Sequence, residues 1–174
     1  MAKVKSLPPP DGTTLPTISY YTPSVMFNSR VGQNIFPFLQ VSPQPSGNWF
    51  VYQYDSLRAY YTLNVGLAFN TSYTITVNQG GQDKNGNQLV QQTVSRFTTP
   101  PFKVVSVSPA NGTSNVYLSS SISAAFSGMI DTGTVRSSLT ITPATAGNFY
   151  VYESGFNFQT SNGLRANTTY SASI

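Results

Sequence analysis

The 174-residue sequence contains no cysteine and no histidine. Without cysteine there is no disulfide framework, and the two residue types that most often ligate zinc are both missing. The serine–histidine and cysteine–histidine arrangements of nucleophilic catalysis are excluded for the same reason. We therefore predict a protein with no metal site and no cofactor.

Charged side chains are scarce as well, at 8% of the residues. The acidic ones are scattered over the sequence: Asp11, Asp55, Asp83, Asp131 and Glu153. Glycoside hydrolysis needs two carboxylates that face one bond about 5–10 Å apart. Asp131 and Glu153 are a conceivable pair, but turn or edge positions explain each of them more simply. The sequence thus predicts a protein that is not an enzyme and has no catalytic residue.

The basic residues are dispersed too, although they outnumber the acidic ones and give a formal net charge of +4. They are Lys3, Lys5, Arg30, Arg58, Lys84, Arg96, Lys103, Arg136 and Arg165. No three lie close together, so there is no basic stripe for nucleic acid. No apolar run approaches the ~20 residues of a membrane span, and nothing has the form of a signal peptide. We predict no nucleic acid partner and no membrane span, and the signal of a secreted protein would lie outside this sequence.

The sequence does contain an internal repeat, with an offset of one hundred residues over most of its length. Residues 3–13 recur at 103–113, residues 39–52 at 139–152, and residues 67–73 at 164–170. A repeat this long indicates tandem domains rather than a solenoid. The first copy continues through Asn78 to Thr99, whereas the second stops at Ile174. We therefore predict two domains: 1–100, which is complete, and 101–174, which lacks its C-terminal strand.

Strand and turn signals dominate both copies. Helical periodicity is nearly absent, and β-branched and aromatic residues alternate in short runs between turn residues. In the first copy the predicted strands are 4–7, 25–27, 39–41, 49–54, 60–65, 73–77 and 89–98. In the second copy they are 105–107, 122–126, 139–141, 149–151, 156–158 and 170–174, with a hairpin around Glu153-Ser154-Gly155. Seven short strands at about ten-residue spacing predict an all-β sandwich in each copy.

The shared pattern Leu-x-x-Asn-Thr-x-Tyr predicts a structural role for Tyr73 and Tyr170. Each tyrosine starts a strand in the manner of a tyrosine corner, whose hydroxyl bonds the backbone a few residues upstream. The offset also pairs Trp49 with Phe149, and we expect both rings to contribute to the cores of their domains.

Four segments of the second copy follow one another in the order of a known family: 105–112, 126–131, 139–143 and 164–170. They resemble the SbsA-type bacterial Ig-like domains found in S-layer and other surface proteins. The first copy is more divergent, because 27–31 lacks the Met-Asp pair of 129–131, but it supplies the closing turn and final strand within 83–99. The resemblance implies two tandem, non-catalytic Ig-like Greek-key β-sandwiches, located outside the cell or at its surface.

Asp83-x-Asn85-Gly86-Asn87 has some features of a calcium loop. The positions that should hold the loop's glycine and its final glutamate are Gln88 and Val94 instead. Asn-Gly between strands is a hairpin signal, because both central residues of such a turn take positive φ at little cost. We therefore predict a turn rather than a metal site.

Three sequons give candidate glycosylation sites at Asn70, Asn111 and Asn167. In the alternative interpretation these asparagines only form turns, with Asn70 and Asn167 placed just before the corner tyrosines. A glycan is therefore possible but is not required by the pattern.

Three functions fit these observations. In the first, the chain is a structural subunit of an extracellular filament or surface lattice, because a sandwich without its last strand exposes an edge that another copy's strand would fill. In the second, it is a spacer or adhesive fragment of a larger surface protein whose missing strand lies past Ile174. In the third, it is a phage structural protein. The first hypothesis makes other copies of the same chain its partners.

Overall fold

The computed structural model describes residues 1–16, 18 and 21–174. Backbone contacts divide the chain into two compact units, Met1–Pro101 and Phe102–Ile174. This division lies one residue after the boundary expected from the repeat. Strands make up most of the regular structure in both units, so the predicted all-β class is confirmed.

The first unit contains two four-stranded sheets. Its strands are β1 (Val4–Ser6), β2 (Thr13–Thr14), β3 (Ser24–Phe27), β4 (Leu39–Ser42), β5 (Gly47–Val51), β6 (Arg58–Leu63), β7 (Ser72–Val77) and β8 (Thr93–Thr98). One sheet has the order β1-β3-β6-β5 and the other the order β2-β8-β7-β4. Neighbouring strands are antiparallel except β2 and β8, which run parallel. This is the arrangement of an immunoglobulin-like sandwich.

Alternating burial explains why these segments form strands. Leu39 and Val41 of β4 are buried while the residues between and after them are exposed, and Tyr73, Ile75 and Val77 repeat the pattern on β7. Successive side chains on a strand point to opposite faces, so one face of each sheet carries the apolar residues. These faces meet in one core, which contains seventeen buried hydrophobic residues of the described part of the chain.

Among the described residues, the first unit differs from the sequence prediction in the number and the bounds of its strands, with β5 at 47–51 rather than 49–54 and β6 at 58–63 rather than 60–65. It has eight strands rather than seven, because β2 is only two residues long and leaves no periodic pattern. The last strand begins at Thr93 rather than Leu89, because Leu89 forms a separate bridge with Ala2.

The second unit repeats six of these strands. They are β9 (Val104–Ser108), β10 (Ile122–Phe126), β11 (Thr140–Thr142), β12 (Gly147–Tyr152), β13 (Gly155–Thr160) and β14 (Ser171–Ser173). The first sheet is complete, with the order β12-β13-β10-β9. The second contains only β11 and β14, the counterparts of β4 and β7. The hairpin of β12 and β13 turns at Glu153 and Ser154, as predicted.

Two short helices were not predicted. A 3-10 helix spans Gln33–Phe38, and an α-helix, α1, spans Thr132–Ser138. Each ends immediately before one of the matched leucines, Leu39 and Leu139. The carboxylate of Asp131 caps α1 by accepting a hydrogen bond from the N–H of Thr134 at 2.7 Å. Because α1 contains no buried residue, it has no apolar periodicity from which a helix could be predicted.

Candidate functional site

The edge of β14 distinguishes the second unit from the first. In the first unit, β7 pairs with β4 on one side and with β8 on the other. Its counterpart β14 pairs with β11, where Ile141 lies opposite Ala172. Within the residues that the structure describes, no strand pairs with the other edge of β14. That edge therefore presents free backbone donors and acceptors.

In the first unit, β8 covers the core with Phe97, which is only 1% exposed. The Phe97 ring stacks on Tyr73 with centroids 5.5 Å apart and an interplanar angle of 20°, and it contacts Tyr21 at 5.4 Å. Just after β8, the Thr99 hydroxyl donates to the carbonyl oxygen of Ala68 at 2.6 Å. This strand thus both fills the space between the sheets and fixes the loop before β7.

The apolar residues of the second unit are correspondingly exposed. Only Ala124, Phe156 and Phe158 are buried hydrophobic residues there. Val107 is 49% exposed, whereas Leu7 at the matched position of the first unit is 9% exposed. Exposed apolar residues in a domain that has an open sheet edge are characteristic of a site for an added strand.

The two tyrosines make the hydrogen bond expected of tyrosine corners. The hydroxyl of Tyr73 accepts from the N–H of Ala68, and that of Tyr170 accepts from the N–H of Arg165, each at 3.0 Å. Asn70 and Asn167 precede them in the same left-handed conformation, with φ of 49°. The repeated geometry shows that these positions shape the loop before β7 and the equivalent loop before β14.

The three sequon asparagines are exposed. Asn70 and Asn167 occupy the left-handed position just described, and Asn111 lies in a turn closed by the N–H of Thr113 and the carbonyl oxygen of Ala110 at 3.1 Å. The turn interpretation is thus sufficient for all three, while the exposed side chains leave them accessible to a glycan. Glycosylation stays a prediction.

The carboxylates take structural positions. Asp11 accepts from the N–H of Arg96 at 2.7 Å, and Asp55 accepts from the Tyr60 hydroxyl at 3.2 Å. Asp131 and Glu153 belong to segments that meet, since the N–H of Ile130 donates to the carbonyl oxygen of Glu153 at 3.0 Å. The hydrogen bonds from Thr134 nevertheless hold the pKa of Asp131 below its usual range, so its carboxylate acts as a helix cap.

No group of three or more acidic, histidine or cysteine side chains could hold a metal ion among the described residues. Asp83 is the most constrained acid, because its carboxylate accepts from the side-chain amide of Asn87 at 2.9 Å and from the N–H groups of Asn85 and Asn87 at 2.9 and 2.8 Å. These bonds lower the pKa of Asp83 to about 2. The loop is a turn, as predicted, but only Gly86 has positive φ. Asn85, the residue before Gly86, does not have a positive φ. The Asp83 carboxylate fixes this part of the turn by accepting hydrogen bonds from the N–H groups of Asn85 and Asn87.

Residues 2–99 and 98–174 each match the family model described as a bacterial Ig-like domain. The chain belongs to this family. Bacterial Ig-like domains are typical of surface proteins, and two of them in tandem account for the whole described chain. None of the helices in the described residues is long and apolar enough to span a membrane.

Among solved structures, the chain is similar to an L,D-transpeptidase from Mycobacterium smegmatis, with 12% identity and a TM-score of 0.45. The match covers 86% of this chain and 59% of that one, so the chain spans less than two thirds of the transpeptidase. Comparison with curated proteins gave no match.

The paired aromatic residues Trp49 and Phe149 are half-buried, and each contributes to the core of its Ig-like domain from one side. Trp49 is half-buried and packs against the core, and Phe149 stacks on Phe156 with centroids 5.0 Å apart. Sequence reasoning missed that Trp49 borders a cleft together with Phe36 and Tyr61. These residues lie on three separate elements, so no local motif marks the cleft.

Proposed function

We propose that the chain is a non-catalytic structural segment of a bacterial surface protein, and that its second domain is completed by an added strand along β14. The support is a single contrast: β7 has a neighbour on each edge, whereas β14 has one on the β11 side within the described residues. Completing the sheet would pair the free backbone groups of β14 and cover the apolar residues beside it.

We propose further that the strand comes from another copy of the chain, which would link copies into a filament or an S-layer lattice. An added strand gains affinity from main-chain hydrogen bonds and specificity from the side chains that alternate into the core. A donor segment and an acceptor edge are different surfaces, so the contact is head-to-tail and continues from copy to copy.

A second candidate is a spacer or adhesive segment in which the same polypeptide supplies the strand. The observation that favours it lies in the first domain, where β8 follows β7 in the same chain by way of the Asp83 turn. In that case the second domain would be closed without any partner, and the chain would serve to extend or present other parts of the surface protein.

Appending a copy of residues 78–99 directly after Ile174 separates these candidates, because Ile174 is the counterpart of Val77. We expect the unextended chain to form filaments or higher oligomers, and the extended chain to be a monomer. The matched control carries Phe97→Asp in the appended copy, which keeps the length but cannot enter the core. Size-exclusion chromatography with light scattering and negative-stain microscopy give the readout.

The outcomes test separately whether a strand is added along β14 and whether that strand comes from another copy. If the extension stabilises a chain that is monomeric in both forms, the added strand stands and the filament is wrong. The unextended chain could instead be a monomer whose second domain is as stable as its first. If the extension then changes neither the stability nor the oligomeric state, the open edge has no function in assembly or in completing the domain.

A further inference from the structure

A cleft with a volume of about 250 Å³ opens on one side of the first domain, between the edge strands β4 and β5. Its aromatic wall is held rigidly. The indole Nε1–H of Trp49 donates to the carbonyl oxygen of Leu39 at 3.1 Å, and the ring meets Tyr61 edge to face with centroids 5.2 Å apart. The Tyr61 hydroxyl lies 2.8 Å from the carbonyl oxygen of Pro45. Tyr61 is itself only 3% exposed and supports the indole, so it is the half-buried Trp49 ring that offers a preformed apolar surface.

Three amide side chains, those of Gln40, Gln44 and Asn48, complete the lining. All three residues are exposed, and their amide groups make no hydrogen bond with the described residues of the chain. Each amide offers a carbonyl acceptor and two N–H donors. Among the described residues, those that line the cleft are all uncharged. The lining therefore suits an uncharged ligand that has an apolar face and several hydroxyl or amide groups.

In the second domain a charged side chain covers Phe149, the counterpart of Trp49. Phe36 and Arg136 occupy matched positions, three residues before the matched leucines. The Arg136 guanidinium lies 5.4 Å from the centroid of the Phe149 ring and donates to the carbonyl oxygen of Phe149 at 3.1 Å. The counterparts of Gln40 and Gln44 are Thr140 and Ala144, so two of the three amides are missing as well. The sandwich itself therefore does not require an open cleft here.

From this we infer that the cleft of the first domain binds one ring of a neutral saccharide. A pyranose ring packs its C–H face on an aromatic side chain and offers hydroxyls at its edge to amide groups. The cleft is smaller than the ~300–1,000 Å³ of sites for drug-sized ligands, which suits a single sugar ring, free or within a longer glycan. Few hydrogen bonds and one ring give weak binding, with a dissociation constant on the order of 1 mM.

Trp49 is the one tryptophan of the sequence, so its fluorescence reports directly on the cleft. We would titrate the full chain with glucose, with N-acetylglucosamine, and with the β-1,4-linked trisaccharide of each. At least one of these sugars is expected to give a saturable change in emission and to protect the indole from acrylamide quenching. Gln44→Ala should weaken binding by about two- to tenfold through loss of hydrogen bonds.

Phe36→Arg places the second domain's residue in the first domain and should abolish the signal. Tyr52→Ala, on an exposed tyrosine outside the cleft, and Arg136→Phe, in the other domain, are matched controls and should leave it unchanged. Circular dichroism checks that the variants fold. If Phe36→Arg does not fold, Gln40→Ala combined with Gln44→Ala provides the test at two exposed positions.

No saturable change with any of the four sugars would overturn the inference. So would a change that persists in both Phe36→Arg and the double amide variant, because the sugar would then bind elsewhere. A proline-rich peptide that saturates the signal when the sugars do not would assign the cleft to a peptide and rule out the saccharide.

Discussion

Tyr73 and Tyr170 make the same hydrogen bond in different surroundings. Tyr73 is 3% exposed and stacks on Phe97, whereas Tyr170 is half-buried beside the open edge. A hydrogen bond contributes more when the group left behind by its removal cannot reach water. The contribution of each tyrosine's hydrogen bond to stability therefore depends on whether a strand covers the tyrosine.

We predict that Tyr73→Phe lowers the free energy of unfolding by about 1 kcal/mol or more, and that Tyr170→Phe lowers it by less. Urea denaturation monitored by circular dichroism measures both, with Tyr54→Phe as a control because that side chain is 95% exposed. Equal losses in the two corner variants would show that β8 has no influence on the corner.

Asp83 makes the stability of the first domain sensitive to acid. Hydrogen bonds from Asn87 and Asn85 lower its pKa from 3.8 to about 2, so folding favours the ionised carboxylate. This contribution is fully present above the unfolded value and is lost as pH falls through the folded one. Between about pH 4 and pH 2, stability should therefore fall more steeply in the wild type than in Asp83→Asn, whose side chain does not titrate in this range.

The measurement is the urea midpoint as a function of pH for both proteins. Asp55→Asn is the control, because the same substitution there removes a carboxylate that accepts a single bond, from Tyr60. Parallel pH profiles for the wild type and Asp83→Asn would contradict the prediction.

Among the elements, the hairpins β5–β6 and β12–β13 both begin at a glycine whose backbone lies close to the facing strand. A Cβ on Gly47 would collide with the carbonyl oxygen of Thr62 and the ring of Tyr61, and one on Gly147 would collide with Gln159 and Phe158 in the same way. The glycine lets the ring of the facing strand lie across the backbone. This explains why the repeat retains glycine at both positions.

Gly47→Ala and Gly147→Ala should each destabilise the domain that contains them by about 1–3 kcal/mol, because the hairpin must shift to admit the methyl group. Gly66→Ala is the matched control, since a Cβ there meets no atom within 4 Å. Thermal unfolding of the three variants would decide the point, and a Gly47→Ala midpoint equal to that of Gly66→Ala would contradict it.

Long elements with one buried face could be predicted from the sequence, whereas short or fully exposed ones could not. Strands such as β4 and β7 alternate buried and exposed residues, which is the signal that periodicity detects. The two-residue β2 and the exposed helix α1 leave no such signal. Asp131 caps α1 in the structure, but a capping residue without an apolar stripe is equally typical of a turn, so the sequence did not predict this helix.

For the whole molecule, the repeat was the strongest evidence. It indicated the two tandem Ig-like copies, because a repeat depends only on the order of segments along the chain. The cleft could not be predicted in this way. Phe36, Gln44 and Trp49 converge only once the 3-10 helix, the loop after β4 and β5 are placed by the fold.

The contrast between the domains should appear in hydrogen exchange of the full chain. In the chain kept monomeric by dilution, we predict strong protection for the amides of β7, which is paired on both edges, and weak protection for those of β14. Exchange followed by mass spectrometry or NMR measures this directly. Protection of β14 equal to that of β7 in the monomer would mean that its edge is already covered.

The parallel pairing of β2 with β8 has a mechanical consequence. Segments near the two ends of the first domain are joined there by Gly12 N–H to Arg96 at 2.8 Å, Leu15 N–H to Thr98 at 2.9 Å, and the Ser95 hydroxyl to Pro9 at 2.6 Å. A force that pulls the domain's ends apart loads these bonds along the strands, so they must break together rather than one after another. Tension on a cell-surface chain would thus be resisted by the first domain. Among the described strands of the second domain, β9 and β14 lie in different sheets and make no such pairing.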